Sequence, residues 1–197
     1  TKEVGIKPTP SIGGVGLIKD YNKMITMDLK EIDNLLLVIG KTEGHIDQSL
    51  FARTILDEKN GPPPEVNLFN EKNNGESLLD LIDKNYIKSA HDISLGGLIT
   101  ALSKMCIKGN KGIKLNKSKN LINEIEYFFA EDQGRYLIEI NPKDFDEVTN
   151  ILNKNSVHYE KLGTIIEKEM IINDKTKVTI DELKSYNTSW LIDYMSS

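Results

Sequence analysis

The sequence predicts an α+β domain, a mixed β-sheet with flanking helices. Three observations lead there. Short apolar runs closed by turn residues, such as Leu35–Ile39 before Gly40, have the length of buried strands. Leu98, Ala101, Leu102, Met105 and Cys106 recur at the three-and-four spacing of a helix face. The two kinds of segment mix without the strict alternation of a doubly wound parallel sheet.

Residues 1–30 read as the tail of a preceding domain and a linker. Pro8-Thr9-Pro10 forces extended backbone, and Gly13-Gly14-Val15-Gly16 permits a bend. Residues 31–197 read as one domain. After the Leu35–Ile39 strand, 47–56 reads as a helix and Gly61-Pro62-Pro63-Pro64 as a breaker. The stretch 68–84 reads as one or two helices and 86–91 as a short strand. The helix carrying Leu98 to Cys106 has Gly109 as its expected stop. A strand at 113–115, a helix at 121–129 and a strand at 135–140 follow. Asn141-Pro142 opens a helix with proline in its first turn. Beyond it come a strand at 158–166 and one or two strands around Asn173-Asp174. A last helical turn is expected at 181–186, with Trp190 covering an edge.

Composition excludes several function classes. The 197 residues are 39% hydrophobic and 28% charged, enough to bury a real core. The net charge of −5 comes from 25 basic and 30 acidic residues spread along the chain, which argues against a nucleic-acid surface. No apolar run approaches the roughly 20 residues a membrane span needs. A single cysteine, Cys106, forbids an internal disulfide and fits a reducing cytoplasm. Three histidines and one cysteine match no zinc spacing. The chain opens at Thr1, which suggests a piece of something longer.

Four segments hold chemistry-bearing residues. His91-Asp92-Ile93-Ser94-Leu95-Gly96-Gly97-Leu98 joins a strand end to a helix start. Ser94 is placed to cap the helix, and Gly96 and Gly97 leave backbone N–H groups open to an anion. Asp92 could hold a Mg²⁺ beside a phosphate, and His91 could donate to the same oxygens. The plainer reading makes Ser94 a cap, the glycines a close packing contact, and Asp92 an acceptor for a nearby backbone N–H. In Glu131-Asp132-Gln133-Gly134-Arg135-Tyr136, the two carboxylates either reach a ligand or pair structurally with Arg135. Pro8 to Gly16 lacks the Gly-Lys-Ser/Thr ending of a Walker A loop, so it reads as a hinge. Gly40-Lys41-Thr42-Glu43-Gly44-His45 reads as a strand-to-helix loop with a solvated histidine, and Cys106 as core.

Taken in chain order, the four segments resemble the C-terminal part of the phosphoribosylformylglycinamidine synthase synthetase subunit. The match runs through Pro8 to Ile18, Gly40 to His45 with Gln48-Ser49-Leu50, His91 to Leu98 with Ala101-Leu102, and Glu131 to Tyr136. The resemblance implies the C-terminal domain fold of the aminoimidazole ribonucleotide synthetase superfamily. It implies a role in the ATP- and Mg²⁺-dependent conversion of formylglycinamide ribonucleotide and ammonia to the amidine. The implied partners are the preceding domains of the subunit, a glutaminase subunit and a small accessory subunit, with a homodimer as a further expectation. No catalytic residue is expected in this chain, since the family's catalytic histidine lies upstream, so the isolated chain is expected to be inactive. By the same resemblance, Asp92 is a Mg²⁺ ligand and Ser94 contacts the nucleotide; His91, Gly96 and Gly97, from the reading of the turn itself, are the expected phosphate-side neighbours. Leu95 departs from the family's usual aspartate after the serine. Selenophosphate synthetase, thiamine-monophosphate kinase and the hydrogenase maturation protein share the implied fold and are the competing readings. A non-catalytic interaction domain is a further one.

Overall fold

A computed structural model of the chain describes residues 10–115 and 122–196. Pro8 and Thr9 of the expected hinge, and Leu121 of the expected helix, lie outside the described residues. Among the described residues, seven strands form one sheet: β1 (Leu35–Ile39), β2 (Ile87–Asp92), β3 (Gly112–Leu115), β4 (Tyr136–Ile140), β5 (Tyr159–Ile166), β6 (Glu169–Ile172) and β7 (Thr176–Thr179). Their order is β2-β4-β1-β5-β3-β6-β7. All neighbours are antiparallel except β3 and β6, so the sheet is mixed, as expected.

Helices cover both faces. They are α1 (Leu50–Thr54), α2 (Leu68–Asp83), α3 (Gly97–Gly109), α4 (Glu124–Phe129), α5 (Phe145–Lys154) and α6 (Ile180–Ser196). β1 is buried along its whole length because both of its faces are covered. Leu36 and Val38 pack with Leu98, Leu102 and Met105 of α3 and Tyr127 of α4. Leu35, Leu37 and Ile39 pack with Leu81 of α2 and Val148 and Leu152 of α5. An uninterrupted apolar run is what a strand between two helical layers requires.

Local chemistry sets the element ends. Asn67 and Asn123 cap α2 and α4 by accepting from backbone N–H groups. Asn173 and Asp174 take φ of 53° and 55° between β6 and β7, the two left-handed residues of a type I′ hairpin. Four expectations need correction. The helix predicted over 47–56 begins only at Leu50, because Gln48 has φ of 61° and Ser49 then caps with its hydroxyl on the Ala52 N–H. Gly109 is not the left-handed stop of α3. Asn110 is, at φ 51°, while Gly109 is needed because a Cβ there would lie 2.5 Å from the Leu29 nitrogen. The last element is a 17-residue helix rather than one turn. Thr179 and Glu182 bond reciprocally as a capping box and start it. Trp190 on it is 62% exposed and covers no edge.

Candidate functional site

Three of the four segments meet at one end of the sheet. Tyr136 lies opposite Ile39 and opposite Asp92 in register. The loops after β1 and β2 therefore leave the sheet where the loop before β4 enters it. The Ile93 N–H donates to the Arg135 carbonyl at 2.9 Å and closes the gap between two of them.

Asp132, Arg135 and Glu131 hold these loops together. Asp132 is buried, and its two oxygens accept from three successive N–H groups. Glu43 and Gly44 donate to Oδ2 at 3.0 and 3.2 Å, and His45 to Oδ1 at 3.1 Å. Arg135 does not make the expected fork with a carboxylate: its nearest approach to Asp132 Oδ2 is 3.9 Å. Its buried guanidinium donates instead to the Asp132 carbonyl, the Ala130 carbonyl and the Thr42 hydroxyl. Burial pushes the Arg135 pKa down, and the Asp132 charge opposes that. Glu131 Oε1 accepts from the Leu50 N–H at 2.7 Å and the Gly96 N–H at 2.8 Å, at the starts of α1 and α3. The pair thus serves as backbone staples. Among the described residues, no three His, Cys, Asp or Glu side chains gather to hold a metal.

The His91–Gly97 turn differs from its sequence-based picture. Ser94 is exposed and is not the cap of α3. Gly96 is, at φ +83°, and it has no side chain of its own to cap with. The Gly96 and Gly97 N–H groups, expected to be open to an anion, are already engaged. The first donates to Glu131 and the second to the Ser94 carbonyl at 3.0 Å. Gly97 does make the expected close contact, though with α4 rather than the sheet: a Cβ there would lie 2.6 Å from the Ala130 carbonyl oxygen. His91 Nδ1 pairs with Asp92 Oδ1 at 3.0 Å, and His91 Nε2 is buried without a partner. Asp92, Ser94 and Leu95 face solvent.

Two concavities flank this end of the sheet. A cleft of about 590 Å³ is lined by polar groups, among them Lys41, Glu43, His45, Asn67, Glu71 and Asn74. Lys41 pairs with Glu43 at 2.7 Å, which raises the lysine pKa. His45 is half-buried, not fully solvated, with Nε2 on the Pro62 carbonyl at 3.1 Å. A shallower hollow of about 500 Å³ contains His91, Asp92, Asp28, Lys108 and Tyr136. Cys106 is core, as expected, and burial pushes its thiol up to about 12.

Sequence reasoning missed Glu139. It is fully buried in β4 and accepts from the Lys30 and Glu31 N–H groups, the Asn34 amide and the Ser89 hydroxyl. The available signal was one charge inside the run Leu137-Ile138-Glu139-Ile140.

Comparison with known proteins places this geometry in context. Residues 31–174 match the family model described as AIR synthase related protein, C-terminal domain. The phosphoribosylformylglycinamidine synthase subunit PurL of Pelagibacter ubique is 68% identical over 197 residues. That alignment spans all of this chain but 27% of the relative, so the chain covers about a quarter of the length of such proteins. The structure of T. maritima PurL complexed with FGAR aligns with a TM-score of 0.68 at 18% identity, covering 82% of this chain and 29% of that one. T. maritima PurL complexed with ATP aligns with a TM-score of 0.63 at 17% identity, covering 82% and 27%. At such identity the structural likeness speaks for the fold.

Proposed function

The chain belongs to the AIR synthase related family, as its C-terminal domain, and from that premise we propose that it is the C-terminal quarter of a phosphoribosylformylglycinamidine synthase synthetase subunit. The observation that carries this reading is the 68% identity along the whole chain. The convergence of the Gly40, His91 and Glu131 segments at one sheet end supports it. The reaction of the whole enzyme is amination of an amide. ATP turns the amide oxygen of formylglycinamide ribonucleotide into a phosphate leaving group, and ammonia from a glutaminase subunit displaces it. This chain supplies no catalytic residue and is inactive alone. Its partners are the preceding domains, of which residues 1–30 are the tail, with the glutaminase and small accessory subunits, in the cytoplasm. Exposed Ile12, Val15 and Leu17 near the start, and Tyr186, Trp190 and Tyr194 on α6, support a covering partner or a homodimer.

Within the chain, the nucleotide side is the His91–Gly97 turn. Asp92 is its solvent-facing carboxylate, and Mg²⁺ is commonly held by one or two carboxylates together with substrate phosphates. The donor set therefore fits a Mg²⁺–nucleotide complex and not a bare ion. Asp92 binds the cation, Ser94 offers a hydroxyl, and His91 orients Asp92 through Nδ1. Gly96 and Gly97 shape the turn rather than donate to the phosphate.

The test is reconstitution. A Pelagibacter ubique subunit lacking the region that matches this chain is assayed with ATP, formylglycinamide ribonucleotide and ammonia. Adding the chain in trans restores amidine formation, and the chain alone gives background. No restoration by the folded chain refutes the assignment, and turnover by the chain alone refutes its predicted inactivity. Calorimetry of ADP with Mg²⁺, with Asp92→Ala as control, tests the site.

A further inference from the structure

Helix α6 carries apolar surface that its own domain does not use. Its first turn is seated: Ile180 is buried and Leu183 packs on the core. Every large apolar side chain of α6 beyond Leu183 is exposed, along about 15 Å of helix. At about 100° per residue, Trp190, Leu191 and Met195 fall on the side that Ile180 and Leu183 turn to the core, while Ile192 interrupts the repeat and falls opposite. The core-facing side of the helix thus continues past the core, with none of the described residues burying it.

The chain path says what covers it. The candidate site lies where Ile39 and Asp92 face Tyr136, and the other end of the sheet is where Leu35 faces Ile140. The incoming segment meets that other end. Lys23 Nζ pairs with Asp83 at the end of α2 at 3.2 Å, and the Leu29 N–H donates to the Met105 carbonyl near the end of α3 at 3.5 Å. Helix α6 is rooted at the same end, with Lys184 Nζ donating to Asn110 Oδ1 at 2.6 Å. Whatever precedes this chain is therefore tethered beside α6, and Ile12, Val15 and Leu17 on the tether are exposed as well. Helix α6 also lies outside residues 31–174 of the family's common domain. Yet the alignment with the 68% identical relative runs through it, in a protein of which this chain covers 27%. A tethered body meets the helix at a high effective concentration, which a separate subunit or a second copy lacks. We propose, on the reading that the chain is the C-terminal quarter of a longer subunit, that the Trp190–Leu191–Met195 face of α6 docks in an apolar groove on the preceding part of the same polypeptide. The contact locks the domain to the body that carries it from the end opposite the candidate site, which stays open.

Amide hydrogen exchange of α6 is compared in two settings: the chain alone, and the chain grafted into the Pelagibacter ubique subunit in place of the region it matches. Amides of residues 186–196 are expected to exchange at least about tenfold more slowly in the whole subunit. Trp190→Ser combined with Leu191→Ser should remove that protection. Ile192→Ser should keep it, because Ile192 is as exposed as Trp190, at 65% against 62%, but lies on the other side of the helix. Equal exchange in both settings overturns the proposal, whether or not the variants fold. Equal loss from Ile192→Ser overturns the assignment of the face. Protection that the chain alone acquires as its concentration rises assigns the face to a second copy, and protection that appears only when a glutaminase subunit is added assigns it to that subunit; either result overturns the proposal. A grafted subunit with the wild-type sequence that forms no amidine instead refutes the reading of the chain as the C-terminal quarter.

Discussion

Two adjacent carboxylates, Glu131 and Asp132, should respond very differently to the same isosteric change. The three N–H bonds to Asp132 are split between its oxygens, two on Oδ2 and one on Oδ1. Asparagine must place an NH₂ group against at least one of these donors. Leaving one buried N–H unpaired costs about 1–3 kcal/mol. The carboxylate is also the nearest opposite charge to the buried Arg135 guanidinium, at 3.9 Å. Asp132→Asn should therefore destabilise by about 2–4 kcal/mol. For a domain of this size that is roughly 4–16 °C in Tm, at about 2–4 °C per kcal/mol. Glu131→Gln loses no bond, because both converge on one oxygen, and forfeits only the attraction of a charge to two helix starts. It should cost about 1 kcal/mol or less. Urea unfolding followed by circular dichroism, with unchanged m-values, measures both. If Glu131→Gln costs as much as Asp132→Asn, the assignment of bonds to oxygens is wrong, and with it the argument that staples at this site can be told apart by geometry.

Gly97→Ala should destabilise by about 3 kcal/mol or more, since φ of +69° and a Cβ 2.6 Å from the Ala130 oxygen both oppose it; near-wild-type stability by denaturant melt would contradict the close α3–α4 contact. Cys106 should react with a thiol reagent only as fast as the domain opens, because burial holds its thiol up at about 12; rapid labelling of the native chain at pH 8 would show the α3 face to be accessible. Asp28 is held down at about 2, chiefly by its 2.5 Å bond to Lys30. Its folded pKa lies below the ordinary value of 3.8, so this exposed pair contributes stability above about pH 4 and loses it as pH falls towards 2. Asp28→Asn should flatten that part of the stability–pH curve slightly, and an unchanged curve would assign the pair no role.

The elements of the fold were legible where one physical constraint dominates. β1 reads as a run of five apolar residues because helices on both sides leave it no polar face, and α3 reads by its period because one stripe of it packs on the sheet. Asn173-Asp174 reads as a turn because few residues other than glycine accept a left-handed backbone. The extent of α6 was not legible, because only Ile180 and Leu183 on it reach the core and the rest gives no period to follow.

At the candidate site, the sequence by itself determined the residue types and the order of the segments, and so the family. The tertiary structure alone decided their partners. Whether Gly96 offers its N–H to a ligand or to Glu131 depends on two groups 35 residues apart, and Glu139 collects donors from as far as 109 residues away. A carboxylate near backbone amides has the same sequence signature whether it waits for a metal or has already found its donors. Only the chain path around the sheet end brings the donors within hydrogen-bond distance, and that path is a product of the packed core rather than of any local pattern.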